Sequence, residues 1–573
     1  MVWPTLTRGL AEALRAAGID VADRVERIEL QIPREPDHGD WTTNVALTLA
    51  REAKRPPRAI AEAVAKAFPL AGGPFAAVEV AGPGFLNFRY GDAFLAALPA
   101  RIASDGTTFG RSEFGRGTAC LVEYVSANPT GPLNVVNARA AAVGSTLVRL
   151  LEAIGHRDEG EFYVNDAGRQ VDLLGASLAA RFAERAGIAR AFPEDGYQGA
   201  YLRDLAAALP EAEARAALAR PDGTAWFRDA ALERVIEWQR RDLEAYGVTF
   251  ARWFRESSLH ASGAVDETLR ALEARDVVYR AARPEVGGDE DEPEAAQGEA
   301  TWLRTSRFGD EKDRVLVRAN GVPTYLLPDI AYHRDKRARG FRHGIDIWGP
   351  DHHGHITRMQ AALAALGAEP DFLEILIAQQ VNLLSGGQPV KMSKRAGEFI
   401  TLRDLMDDVG ADCAKFFFLM RSTSAHLDFD LDLAKRQNDE NPAFYVQYAH
   451  ARIASVLRYA AERGLAASGE ATPSAELEIP EARALIRKLA TFPELVRGAA
   501  VMREPHRVPT YLVETAAAFH RFYHACRVVT DDAARSRARL AIAAAARQVI
   551  ANGLALMGVS APERMERAAE AAT

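Results

Sequence analysis

The sequence predicts a multidomain protein: a doubly wound α/β core, an α+β module before it and an all-α bundle after it. Three observations predict this. The chain has 573 residues, and at ~100–200 residues per domain that length points to roughly three or four units. Residues 120–164 read as strand, loop, helix and strand, a βαβ unit of the kind that opens a nucleotide-binding sheet. From about Asn438 onward, Ala-, Leu- and Arg-rich sequence keeps helical periodicity to the end, with breaks near Pro473–Pro480 and Pro505–Pro509, as in a helix bundle.

Taken in order, Leu6 to Ala17 has the apolar spacing of a helix. Asp37-His38-Gly39-Asp40 is turn chemistry, Thr43 to Ala53 is helical, and Pro56-Pro57 starts another helix. Val78 to Val80 leads through Gly82-Pro83-Gly84 into the strand Phe85-Leu86-Asn87-Phe88. Cys120 to Tyr124 is the first strand of the core, Ser126 to Pro132 its loop, Ala138 to Ile154 its helix and Phe162 to Val164 the next strand. Arg185 to Trp253 is largely helical and reads as an insertion. Arg314 to Arg318, Asp346 to Trp348 and Leu373 to Ile377 supply further strands. No internal repeat is visible.

Composition narrows the class. With 48% hydrophobic and 26% charged residues the chain has the balance of a soluble globular protein. No uninterrupted apolar run reaches spanning length, so no membrane segment is expected. Met1 to Arg8 lacks a basic stretch followed by an apolar one, so no secretory signal is expected. Cys120, Cys413 and Cys526 are scattered and form no CxxC pair, which fits a reducing cytoplasm. The net charge of −8 is local: Glu285 to Glu299 contains seven acidic and no basic residues, leaving about −1 for the rest. That run reads as a solvated loop, and net charge does not exclude local nucleic-acid-binding patches.

The most informative stretch is Lys391-Met392-Ser393-Lys394-Arg395-Ala396-Gly397. Of 70 basic residues only nine are lysine, yet two stand three positions apart beyond the loop-forming Ser385-Gly386-Gly387-Gln388-Pro389. A compact ammonium on a flexible stem suits phosphate chemistry in a way a guanidinium fork does not. The stretch resembles the KMSKS signature of class I aminoacyl-tRNA synthetases, whose lysines hold the ATP phosphates. That family pairs its lysine loop with a His-x-Gly-His motif at the start of the first core helix. Here the frame Asn128-Pro129-Thr130-Gly131-Pro132-Leu133 is followed by Asn134-Val135-Val136-Asn137. Asparagine replaces both histidines and Val136 the glycine, so the expectation is a site working with amide donors, Lys391, Lys394 and the helix dipole.

Glu123, Asn128, Tyr325 and Asp329 match arginine-binding positions of the arginyl-tRNA synthetases, and carboxylates with a phenol oxygen suit a guanidinium that offers five donors. Gly349-Pro350-Asp351-His352-His353-Gly354-His355 follows a core strand. Adjacent histidines without a distant partner cluster do not make a zinc site, and no metal site is expected. Gly349 and Asp351 resemble the class I Gly-x-Asp element near the ribose and amino acid. Glu440 to Arg452 resembles the start of the anticodon-binding bundle of bacterial arginyl-tRNA synthetases, in which Tyr445, Tyr448, His450 and Arg452 would stack on and pair with RNA. Phe519 to Tyr523 repeats the aromatic–basic mix.

The resemblance covers the whole chain. It implies an N-terminal module for the tRNA elbow over residues 1–110 and a Rossmann-like catalytic domain over 111–435. That domain would hold an insertion at about 185–255 and the lysine loop at 385–398, and a helical anticodon-binding domain would occupy 436–573. It implies the reaction L-arginine + ATP + tRNA(Arg) to arginyl-tRNA, AMP and pyrophosphate, with Mg²⁺, in a cytoplasmic monomer that activates arginine only with tRNA bound. ATP would meet Asn134, Asn137, Gly349, Asp351, Lys391, Met392, Ser393 and Lys394. The alternative is a tRNA- or arginine-binding paralogue without activity, motivated by Asn134, Val136 and Asn137. A cysteine or glutamate enzyme of the same class is disfavoured, by the scattered cysteines and by the acidic Glu123 and Asp329 respectively.

Overall fold

The computed structural model describes residues 2–20, 28–33, 35, 38–286, 298–390 and 400–565, and the side chains of Asp351 and His353 lie outside that description. The N-terminal module opens with the helix Val2–Ala16, which buries Leu6, Leu10, Ala13 and Leu14 at helical spacing. It packs beside an antiparallel sheet of Trp41–Thr43, Phe85–Tyr90 and Phe75–Ala81, with Phe85–Tyr90 in the middle. Gly39 sits at φ +92°, where a Cβ would lie 2.8 Å from the Phe88 carbonyl oxygen, so the turn ahead of this sheet requires glycine.

The core runs β1 (Ala119–Glu123), α1 (Val135–Ala153), β2 (Arg157–Val164), α2 (Gly223–Ala245), β3 (Arg252–Arg255), α3 (Leu326–Ala338), β4 (His343–Trp348), β5 (Leu373–Ile377) and α4 (Leu402–Val409). The five strands pair in parallel in the order β5-β4-β1-β2-β3. All five residues of β1 are buried, as a central strand covered on both faces requires. The chain winds from β1 through β2 to β3 on one side and returns to β4 on the other side of β1. The C-terminal ends of β1 and β4 are therefore the topological switch point, where such sheets bind ligands.

Between β2 and β3 the chain is largely helical from the helix Arg169–Arg185 through α2, a stretch that includes the expected insertion. That helix shares a separate core with α2 through Leu174, Leu178, Phe182 and Phe227, so its apolar face belongs to the insertion rather than the sheet. The strand Arg314–Val317 does not join the parallel sheet. It pairs antiparallel with Ala300–Leu303, which pairs with Val278–Ala281. A third small sheet joins Val381–Ser385 to Gln388–Pro389 and Leu427–Asp430.

The C-terminal bundle contains α5 (Pro442–Ala461), α6 (Arg507–Ala525) and α7 (Ala533–Met557), with Pro480–Ala490 and Phe492–Val501 between α5 and α6. Asn441 caps α5 by accepting from the backbone N–H groups of Ala443 and Phe444, and Pro442 occupies its first turn. By length and composition α7 could cross a membrane, but 67% of its apolar window is buried among the other helices, as in a core helix of a bundle. The N-terminal module docks on this bundle. The Glu494 carboxylate accepts from Val2 and Trp3 N–H at 3.0 and 2.9 Å, and the Arg497 guanidinium lies 3.6 Å from the Trp3 ring centroid.

Candidate active site

The loop leaving β1 is strained. Val125 and Ser126 have φ of +70° and +39°, a region that costs non-glycine residues about 1–3 kcal/mol each and persists only where neighbours enforce it. The neighbours are visible. Ser126 Oγ donates to Glu123 Oε1 at 2.9 Å and accepts from Tyr163 N–H at 3.1 Å. Further along, Gln239 of α2 donates to the carbonyl oxygens of Asn128 and Gly131 at 3.2 and 2.9 Å, and the Tyr201 hydroxyl donates to that of Thr130. Asn128 itself is exposed.

Below this loop lies a buried charge cluster. Lys336 Nζ of α3 donates to Glu123 Oε2 at 2.7 Å and to Asp346 Oδ1 at 2.8 Å, and it rests 4.3 Å from the Tyr332 ring centroid. His333 places Nε2 2.8 Å from Asp346 Oδ2 and Nδ1 2.8 Å from the Asp329 carbonyl oxygen. Burial pushes the Glu123 carboxyl up to about 7, against the downward pull of the Lys336 ammonium. Burial also raises Asp346, but Lys336 and His333 outweigh it and hold that carboxyl at about 2. Glu123, His333 and Asp346 are close enough to hold a metal ion, yet the Lys336 ammonium already lies between the two carboxylates, so this donor set does not fit one.

Above the cluster the crevice is acidic and aromatic. The Tyr163 hydroxyl donates to Glu256 Oε2 at 3.0 Å. Burial first, and then the neighbouring Glu256, Asp329 and Glu123 carboxylates, push the Tyr163 phenol upward, and burial with Asp329 nearby raises Glu256. Asp329 Oδ2 lies 3.1 Å from His355 Nε2, and the His355 ring is 5.5 Å from both Trp348 and Tyr325. Tyr325 is 62% exposed and its hydroxyl accepts from Arg358. Carboxylates gathered around aromatic rings suit a cation with several directed donors.

The start of α1 gives the two asparagine oxygens a role of their own. Asn134 Oδ1 accepts from the N–H groups of Val136 and Asn137, and Asn137 Oδ1 accepts from Asn134 N–H, a reciprocal capping box. The asparagine oxygens build the helix start, and neither carboxamide nitrogen donates to another described residue. Val136 is half-buried against the core. Asn134 also bridges to Thr401, and Leu402 N–H donates to the Leu133 carbonyl oxygen at 2.8 Å. Ile400 to Leu402 thus run beside the start of α1. The expected phosphate-binding residues Lys391, Met392, Ser393 and Lys394 lie outside the described residues, as does the Asp351 side chain. Gly349 directly follows β4 and is half-buried. Arg139, buried in α1, donates to the carbonyl oxygens of Gln379, Ser422 and Ala425 at 2.8 Å each and so fixes the small sheet leading to this segment.

In the bundle, the expected RNA-facing residues divide. Tyr445 stands 5.1 Å from the His520 ring, and Arg452 lies 4.5 Å from the Tyr523 ring centroid. Tyr448, half-buried, stacks on Phe444. His450 is corrected: it is 2% exposed and its Nδ1 lies 2.9 Å from the Pro562 carbonyl oxygen, so its ring packs against the C-terminal segment rather than facing RNA. Sequence reasoning also missed Glu256, Tyr163, His333, Lys336 and Asp346. One signal existed for Lys336, because the lysine scarcity that marked Lys391 and Lys394 applies equally to it.

A parallel sheet with a ligand crevice at its switch point, a capped helix start beside the segment following the lysine loop, and a helical bundle beyond it define a class I aminoacyl-tRNA synthetase. Residues 5–90 match the arginyl tRNA synthetase N terminal domain and residues 446–565 the DALR anticodon binding domain. The chain is 43% identical to the arginine–tRNA ligase of Geobacillus thermodenitrificans over 98% of each chain, and 45% identical to that of Desulfosudis oleivorans over 98% of this chain and 99% of the relative. The Thermus thermophilus arginyl-tRNA synthetase structure shares its fold, with a TM-score of 0.76 at 23% identity over 99% of this chain and 100% of that one. The chain belongs to the arginyl-tRNA synthetases.

Proposed function

We propose that this crevice activates L-arginine with ATP and passes the arginyl group to tRNA(Arg). The arginine carboxylate attacks the α-phosphate of ATP and releases pyrophosphate. A hydroxyl of the terminal tRNA ribose then attacks the carbonyl of the adenylate and releases AMP. Glu256, Asp329 and Tyr325 receive the guanidinium, while Glu123 and Asn128 receive the α-amino group. Gly349 and Asp351 lie along the ribose and amino acid. The start of α1 at Asn134 and Asn137 offers its dipole to the phosphates, and Lys391, Lys394, Met392 and Ser393 bind them. Mg²⁺ arrives as the counter-ion of ATP, with no ligand assigned among the described residues. Most of the acceleration is positional and electrostatic.

Residues 1–110 serve the tRNA elbow, 111–435 the chemistry and 436–573 the anticodon, where Tyr445, Tyr448 and Arg452 meet RNA bases. The enzyme works as a monomer in the cytoplasm. The observation that carries the arginine site is the gathering of Glu256, Asp329 and Glu123 around Tyr163 at the switch point. The capping box at Asn134 and Asn137 gives both asparagines a constructive role, which removes the motive for an inactive paralogue.

The test is arginine-dependent exchange of pyrophosphate into ATP, with and without tRNA(Arg). Exchange is expected in the presence of tRNA, and Asp329→Asn should reduce kcat/KM for arginine by about a hundredfold. Tight tRNA binding without exchange under either condition would sink the proposal.

A further inference from the structure

The inserted helices reach back into the crevice at one turn of α2, and that turn touches both elements that frame the proposed phosphate site. Gln239, 1% exposed, spends both amide hydrogens on the carbonyl oxygens of Asn128 and Gly131. Three positions later, on the same helix face, Asp242 is 3% exposed and accepts through Oδ1 from Arg403 Nη2 and Nε at 2.8 and 3.2 Å. Arg403 is the second residue of α4, whose start is bound by backbone to the start of α1 through Leu402 and Leu133. Tyr201, also in the insertion, adds its hydroxyl to the Thr130 carbonyl oxygen. Three of the four carbonyl groups from Asn128 to Gly131 are therefore held by insertion side chains, in the loop that continues the strained turn at Val125 and Ser126.

We propose that Gln239 and Asp242 are positioning residues for arginine activation. Gln239 sets the loop that carries Asn128 and steadies the arginine side of the crevice. Asp242 sets the α4 start against α1 and steadies the phosphate side. This rests on the reading of the crevice as the arginine- and ATP-binding site. Each contact holds its own side, and a misplacement of about 1 Å on either side is enough to change rates by about a hundredfold.

Both residues are buried, so a purely structural role would lower stability while leaving the two substrates equally affected. A positioning role separates them. In pyrophosphate exchange with saturating tRNA, Gln239→Leu is expected to raise the arginine KM at least about tenfold with the ATP KM within about twofold, and Asp242→Asn to do the reverse. Arg403→Leu should reproduce Asp242→Asn, and the double variant should be no worse than either single one. Tyr201→Phe, which removes one hydroxyl and keeps the ring, should raise the arginine KM about threefold and covers the case in which Gln239→Leu does not fold. Equal changes in both KM values, or a lowered melting temperature with unchanged kinetics in every variant, would overturn the inference. An unaltered chain without exchange would overturn the activity and the inference with it, whereas an active parent with unaffected variants overturns only the inference.

Discussion

Glu123 ends β1 as a buried carboxyl beside the Lys336 ammonium. Its match to an arginine-binding position of the family marked it as an acceptor, but not that Lys336 and Ser126 would already hold its two oxygens. Burial pushes its carboxyl up to about 7, against the pull of the Lys336 ammonium. The proposed α-ammonium of arginine pairs with the ionised form, so kcat/KM for arginine should fall as pH drops below about 7, approaching about tenfold per unit. Glu123→Gln should bind arginine poorly and lose that slope between pH 6 and 8, and an unchanged slope in the variant would assign the titration elsewhere. The stability terms run in opposite directions. The raised Glu123 contributes stability that is present below its ordinary 4.5 and lost as pH rises through about 7, whereas Asp346 contributes stability that is present above 3.8 and lost as pH falls through about 2. Asp329 was readable because Tyr325 and Asp329 stand in one short segment. Glu256 was not, because nothing in Arg255-Glu256-Ser257 distinguishes it from surface charge, and only the pairing of β3 with β2 brings it beside Tyr163.

The elements that build the crevice were mostly readable, and the misses share a cause. The apolar β1, the helix after it and the parallel strands at 343–348 and 373–377 each carry their own periodicity. The strand at 314–317 carries the same local signal but pairs antiparallel in a different sheet, a choice made by tertiary contacts that composition does not encode. At the start of α1 the position of the helix was readable, whereas the capping role of the two asparagine oxygens was not. Two asparagines three apart make a reciprocal cap through their oxygens, a role that only the positions of the backbone N–H groups reveal. Asn134→Ala should therefore cost about 1 kcal/mol of stability, measured by urea unfolding, and should raise the ATP KM by loosening the helix start beside Thr401. If Asn134→Ala abolished exchange with no loss of stability, the asparagine would be a direct phosphate ligand and the capping account would fail.

At the scale of the molecule, the N-terminal module and the C-terminal bundle are distant in sequence but tied by several contacts. Arg487 pairs with Asp40 and Arg483 with Asp92, both at 2.5 Å, and Asn552 donates to the carbonyl oxygens of Gly106 and Phe109 at 2.9 and 3.0 Å. Glu494 is buried and the only one among these links that caps a helix of the other module, receiving the N–H groups of Val2 and Trp3 on one oxygen. Removing it strands the buried Val2 N–H, at about 1–3 kcal/mol, while the other pairs keep the module in place but less firmly fixed. The two surfaces proposed to face tRNA bind at a high effective concentration when they are fixed to one another, and a loosened joint lowers it. Glu494→Leu should therefore raise the tRNA KM in aminoacylation by about tenfold while leaving the arginine and ATP KM values within about twofold, and Glu494→Gln, which keeps an acceptor oxygen, should restore most of the loss. A fall in melting temperature with an unchanged tRNA KM would mean that the joint serves folding alone and that the two surfaces engage tRNA independently.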